Sequence, residues 1–240
     1  MRKIFHLFFV LALLSASYAA FQIITIQLSY RQADQEHLTV RNVAFAQVEA
    51  DAHVDSSEID FEGLRLINAA IVGWIQMPGT NIDHPIVQGE DNVRYLTTTF
   101  KGESNPSGAI FMDARNQSDF SDHQTIIYGH HMLNGTMFSD LIRFQDQAFF
   151  DQYPVFTIHT PEGVRHYEIF SAYLAWAYSD TYLDAFATGD RFAEYLHYIT
   201  GLSMIQTGIV PLPTDQIVSL STCEYVFEDA RMIVHGRLIQ

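Results

Sequence analysis

The chain contains a single cysteine, Cys223. No intramolecular disulfide can form, so the thiol is a buried small hydrophobe, an intermolecular partner or a reactive group. It closes the run Ile217-Val218-Ser219-Leu220-Ser221-Thr222-Cys223, whose branched residues suit a half-buried strand. Residues 224–230 follow, then Arg231, then a second apolar run holding Ile233, Val234 and Leu238. If the two runs pair as a hairpin, the connection sets Cys223 and Arg231 nearly opposite each other at its mouth. A guanidinium there favours the thiolate and offers fixed donors to an oxyanion formed when sulfur attacks a carbonyl. The same spacing also fits a surface arginine near an inert buried cysteine.

A free thiol of pKa ~8.5 is only ~3% ionised at neutral pH, so acyl transfer also needs an acid that protonates a leaving amine. Among eleven histidines His130 stands out: the β-like run Thr125-Ile126-Ile127-Tyr128 ends at Gly129 and delivers His130 to a strand terminus, as the other run delivers Cys223. His130 and His131 could begin a metal site, but neighbours in an extended chain point apart and no partner at ligand spacing lies nearby. His159 and His166 flank a hairpin turn and could meet across strands. Asp119 with Asp122, and Glu228 with Asp229, read as solvated faces rather than acid–base couples. Neither a metal nor a cofactor is expected.

The elements that would carry these residues are short and mostly β. Runs at Trp74–Met77, Ile82–Gln88, Ala109–Met112, Gln124–Tyr128, Val155–His159, Arg165–Ala175, Ile217–Thr222 and Met232–Ile239 alternate with Gly/Pro/Asn turn signals. Such spacing predicts a mixed or antiparallel barrel or sandwich rather than βαβ repeats. One helix interrupts the second half, capped by Asp190 and apolar at Phe192, Tyr195, Leu196, Ile199 and Leu202. An earlier helix, capped by Ser56 or Ser57, is predicted through Phe61, Leu64, Ile67 and Ile71.

Charge and hydropathy bound the setting. The formal net charge is −15, and all 28 acidic residues lie beyond residue 33, a balance that repels nucleic acid and anionic lipid surfaces. The 27 residues between Lys3 and Arg31 carry no formal charge and as a helix would span roughly 40 Å, enough to cross a bilayer with tilt. Arg2 and Lys3 before the run and acids after it put the N-terminus in the cytoplasm and the rest outside. A cleaved signal peptide ending near Ser17-Tyr18-Ala19 is the competing reading, although apolar residues continue through Leu28. The chain then divides into a cytoplasmic N-terminus and transmembrane anchor (1–32), a stalk (33–55) and a catalytic domain (56–240). Gln32–His53, polar and with little clear period, predicts a stalk that is in part helical and weakly ordered.

Taken together these motifs resemble the sortases, membrane-anchored cysteine transpeptidases of Gram-positive bacteria, and specifically class B. Ser219-Leu220-Ser221-Thr222-Cys223 resembles the Thr-Leu-x-Thr-Cys signature, with Ser219 where Thr is usual, and Tyr128-Gly129-His130-His131-Met132 the histidine segment. Val72-Gly73-Trp74-Ile75, Pro78-Gly79-Thr80, Asp91-Asn92-x-x-Tyr95-Leu96 and Gly108-Ala109-Ile110-Phe111-Met112-Asp113 are similar as well. The resemblance implies a mainly β fold: an eight-stranded sortase-type barrel with an N-terminal helical extension and one inserted helix near residues 190–203. It implies His130, Cys223 and Arg231 as the catalytic residues, with His131 structural. The implied reaction cleaves a C-terminal sorting motif, commonly of Asn-Pro-x-Thr type, through a Cys223 thioester, and passes the protein to a peptidoglycan or pilin amine. The implied partners are surface proteins or pilins bearing that motif. The rival readings are another exported cysteine peptidase or L,D-transpeptidase-like enzyme, whose Ser-x-Gly-Cys signature is absent, and a non-catalytic wall-binding barrel.

Overall fold

The computed structural model describes residues 2–46, 59–176, 179–182, 189–223 and 230–239. Helix α1 (Arg2–Ala44) is followed by α2 (Phe61–Ile67) and strands β1 (Ile71–Gln76), β2 (Asp83–Gln88), β3 (Ile110–Met112) and β4 (Gln124–Gly129). Then come α3 (Gln147–Gln152), β5 (Val155–Thr160), β6 (Gly163–Trp176), α4 (Gly189–Gly201), β7 (Ile217–Cys223) and β8 (Ala230–Leu238). Among the described residues the strands close into one barrel, β1-β2-β3-β4-β7-β8-β6-β5, with β1 pairing back onto β5. Among the described residues only β2–β3 and β4–β7 are parallel pairs. This is the eight-stranded barrel, with N-terminal helix and inserted α4, that the resemblance implies.

Alternation along each strand builds the layers. Val218 and Leu220 of β7, Ile127 of β4 and Met232 and Val234 of β8 fill the barrel. On the outside, α4 lays Phe192, Tyr195, Leu196 and Ile199 over Phe170, Tyr173 and Ile233. The helix begins at Gly189, so Asp190 lies inside its first turn rather than capping it, where its charge suits the positive end of the helix dipole. On another side, Val40 and Ala44 of α1 and Leu64 of α2 cover Trp74, Val87 and Phe111.

Two N-terminal expectations are corrected. The segment predicted to be a weakly ordered, partly helical stalk is continuous helix as far as Ala44, tied by polar contacts to β2 and to the loop before β3, and residues 47–53 of it lie outside the described residues. The Ser29 carbonyl accepts from Asn105 at 2.9 Å, Gln32 reaches Glu103 at 2.6 Å, Glu36 accepts the Lys101 amide at 2.9 Å and Arg41 pairs with Asp83 at 2.8 Å. The second helix is also shorter than its apolar spacing suggests. Asp60 caps it by accepting from Gly63 at 2.8 Å, Asn68 ends it in an extended conformation, and Ile71 opens β1 instead. Ser56 and Ser57 lie outside the described residues.

α1 has no Gly or Pro to break it and is long and apolar enough to cross a membrane. Its large residues from Leu7 to Leu28 are exposed. Ser15, Thr25 and Ser29 return their hydroxyls to carbonyls one turn back.

Candidate active site

Strands β4 and β7 stay in parallel register from Gln124 opposite Ile217 to Gly129 opposite Thr222. The next residue on each is His130 and Cys223, so both chains leave the ladder at one level. β8 returns antiparallel with Arg231 opposite Cys223. With strands about 4.8 Å apart, the three backbone positions share one rung within ~10 Å. The sequence-predicted residues are thus brought together by two ladders rather than by one loop. Of Cys223 the description extends to the backbone, and Glu228 and Asp229 lie outside the described residues.

His130 is half-buried, and its Nε2 lies 2.7 Å from the Leu96 carbonyl. A carbonyl only accepts, so Nε2 carries the proton and Nδ1 is the nitrogen left to exchange one. Leu96 ends a short 3-10 turn, Arg94–Leu96, pinned by Asp91, whose Oδ1 accepts the amides of Arg94 at 2.8 Å and Val93 at 2.9 Å. Those amides hold the Asp91 carboxyl below its usual range. The Ala109 amide donates to Tyr95 at 2.9 Å, and Gly108 (φ 58°) lies so close beneath that a side chain there would run into the Tyr95 and Leu96 carbonyls. Gly129 is equally constrained: a Cβ would stand 2.5 Å from Ile110 and 2.8 Å from Phe138. Glycine before His130 is what lets β4 lie against β3.

Arg231 is half-buried and donates Nη1 to its neighbour's carbonyl, Ala230, at 2.9 Å. Beside the rung, Tyr128 donates to Asp113 at 2.8 Å, while Arg115 grips the same carboxylate with Nε and Nη2, each at 2.9 Å. Burial alone would raise the Asp113 pKa, but these donors outweigh it and bring it down to about 2. Burial, then the Asp113 charge, pushes the Tyr128 phenol far up. Tyr128 stacks on Tyr182 with centroids 6.2 Å apart, and Tyr182 meets Ser221 at 2.9 Å.

Beneath the rung runs a buried polar layer. Gln124 donates to Ser219 at 2.9 Å and to Tyr195 at 2.7 Å; Ser219 meets His235 Nδ1 at 2.7 Å, and His235 Nε2 meets Tyr173 at 3.0 Å. Ser219, the departure from the usual Thr, is the joint of this network.

The other candidates are not brought together. His159 opposes Val164 and bonds Gln76 at 2.9 Å, whereas His166 opposes Thr157. Asp122 and Asp119 accept within their own turn, from Gln117 at 2.7 Å and Ser121 at 3.0 Å. Sequence reasoning missed the Leu96 carbonyl and the Asp113–Arg115–Tyr128 group. The available signal was the Asp91-Asn92 pair ahead of Tyr95-Leu96, since Asx side chains cap the turn that follows them.

Comparison with known proteins agrees with this geometry. The profile of the Sortase domain matches residues 75–239. Sortase B of Staphylococcus aureus (strain NCTC 8325 / PS 47) is 32% identical over 190 residues, covering 78% of each chain. Sortase B of Listeria monocytogenes serovar 1/2a (strain ATCC BAA-679 / EGD-e) is 35% identical over 187 residues, 75% of this chain and 74% of that one. The structure of the Staphylococcus aureus sortase B–substrate complex superposes with a TM-score of 0.79 at 29% identity, covering 89% of this chain and 99% of that one.

Proposed function

The chain belongs to the sortase family, class B, a transpeptidase family, and on that premise we propose that it works as a cysteine transpeptidase through a thioester on Cys223. The observation that supports this most is the shared rung: β4, β7 and β8 bring the backbones of His130, Cys223 and Arg231 to one level.

In this reading the Cys223 thiolate, paired with an imidazolium at His130, attacks the Thr carbonyl of a sorting motif of Asn-Pro-x-Thr type. The carbonyl oxygen becomes an oxyanion held by the Arg231 fork. The peptide C–N bond breaks as His130 Nδ1 gives its proton to the departing amine, leaving a thioester. An acceptor amine from peptidoglycan or a pilin then attacks. Neutral His130 takes the amine's proton, the C–S bond breaks, and the thiolate returns. The Leu96 carbonyl serves both halves by keeping Nε2 protonated and Nδ1 available. The substrates are surface proteins or pilins with a C-terminal sorting motif. α1 acts as the membrane anchor, with Arg2 and Lys3 cytoplasmic and the barrel extracellular.

The test incubates the full chain, in detergent micelles, with Asn-Pro-x-Thr and Leu-Pro-x-Thr-Gly peptides and reads intact mass. An acyl adduct on Cys223, discharged faster by an added amine than by water, is expected, and Cys223→Ala should abolish it. Peptide cleavage by Cys223→Ala would overturn the assignment. A thiol that reacts with a small alkylating probe but takes no peptide would keep the nucleophile and reject this substrate class.

A further inference from the structure

A cleft opens where the second half of α1 lies along the barrel, its inner wall at Gly108 and Ile110 backing onto the Leu96 turn and Gly129 that position His130. It is open to solvent on one side and offers about 70 Å3 of space within. Asp34, Glu36 and His37 enter it from α1, His84 from β2, and Ser107 and Phe100 from the loop before β3. Among the described residues no lysine or arginine lines it.

Among the described residues, two polar groups in this cleft are left without a hydrogen-bond partner. Ser107 is only 2% exposed and its Oγ has no hydrogen-bond partner. Glu36 gives Oε1 to the Lys101 amide at 2.9 Å, but its buried Oε2 has no partner. Buried polar atoms are rarely left in this state, so each points to something that donates from within the cleft. The imidazoles of His37 and His84 lie against each other, centroids 4.2 Å apart. Burial lowers the pKa of both, that of His84 to about 3, so neither adds positive charge at neutral pH.

These features select the ligand. Two carboxylates with no basic residue repel an anion and attract a cation. Among the described residues no three His, Cys, Asp or Glu side chains converge on a metal position, which disfavours a metal ion. The Glu36 oxygen only accepts and the Ser107 hydroxyl can accept, so a cation carrying N–H donors satisfies both, and Phe100 with the neighbouring apolar wall suits a short alkyl stem. We propose that this cleft binds a primary alkylammonium group, which donates to Glu36 Oε2 and Ser107 Oγ while its stem lies along Phe100. The inference does not draw on the transfer chemistry, and a Cys223→Ala chain should bind equally well.

The experiment titrates the full chain, in detergent micelles and labelled with 15N-histidine, with n-butylammonium, Nα-acetyl-lysine methylamide and alanyl-alaninamide, following the His37 and His84 signals. Saturable shifts with the ammonium probes and none with n-butanol or acetyl-norleucine methylamide are expected. A preference for the lysine derivative or for the dipeptide amide identifies a side-chain or an α-amine source. Glu36→Gln should weaken binding by roughly tenfold or more, as expected for a charge-assisted bond, and Ser107→Ala by about fivefold. Ser107→Ala removes only an unpartnered oxygen, so its fold stays intact and the test does not hang on Glu36→Gln. Equal binding of the neutral analogues, tighter binding of Ca2+, or wild-type affinity in Ser107→Ala would overturn the proposal.

Discussion

Lowering the pH from 7 to 5 should cost this fold about 4 kcal/mol through two imidazoles it holds neutral. His235 is fully buried between Ser219 and Tyr173, and His84 is 7% exposed against His37. Burial brings each down from 6.5 to about 3. An unfolded chain therefore takes up a proton on each as pH falls through 6.5, while the folded one does not until about 3. The fold thus has its full stability above 6.5 and loses it progressively toward 3. At pH 5, one and a half units below the unfolded value, the loss is ~2 kcal/mol per imidazole. Carboxylates with lowered values, such as Asp113, are ionised in both states at this pH and drop out of the comparison. Urea unfolding followed by fluorescence of the buried Trp74 at pH 7, 6 and 5 would measure the slope. His235→Asn and His84→Asn each lower absolute stability, but the slope is the readout: each should remove about 2 kcal/mol of the loss between pH 7 and 5, with His37, whose value burial also lowers, adding to what remains. Variants that keep the whole wild-type slope would refute the assignment to these two residues.

Changes at the rung should separate chemistry from folding. His130→Gln keeps a donor for the Leu96 carbonyl and removes the exchanging nitrogen, so kcat for peptide cleavage should fall ~10²–10⁴-fold with little change in melting temperature. Arg231→Lys keeps the charge and loses the planar fork, and a kcat drop of roughly 10²-fold is expected, measured with the same peptide. Tyr128→Phe deprives the buried Asp113 carboxylate of one donor, which urea unfolding should register as a loss of about 1–2 kcal/mol.

The strands and α4 were legible because each buries one alternating or one helical face, and that pattern is written in residue types. What stayed hidden were contacts with no hydrophobic period. Ser29, Gln32 and Glu36 meet the loop before β3 and Arg41 meets Asp83 of β2 through hydrogen bonds and an ion pair, so a segment that is polar by composition is ordered by its contacts. β3 begins at Ile110 rather than Ala109 because the Ala109 amide is spent on the Tyr95 carbonyl. At the candidate site, residue types singled out His130, Cys223 and Arg231. The group that orients His130 is a backbone carbonyl, and carbonyls carry no signature in the sequence.

Because the rung is assembled from a parallel and an antiparallel ladder, register is the quantity the fold must protect. A slip of one residue between β4 and β7 would move His130 off the level of Cys223 and turn alternate side chains to the wrong face. Several features oppose that slip. At the foot of the ladder Gln124 ties β4 to Ser219 of β7 and to Tyr195 of α4. At its head only a glycine fits beneath Ile110 and Phe138, so a slip that put a side chain in place of Gly129 would clash with both. His235 then joins Ser219 to Tyr173, fixing β7, β8 and β6 to one another. A polar network buried away from the reacting groups thereby sets the alignment on which the proposed chemistry depends, and α4 is the lid that keeps water out of it.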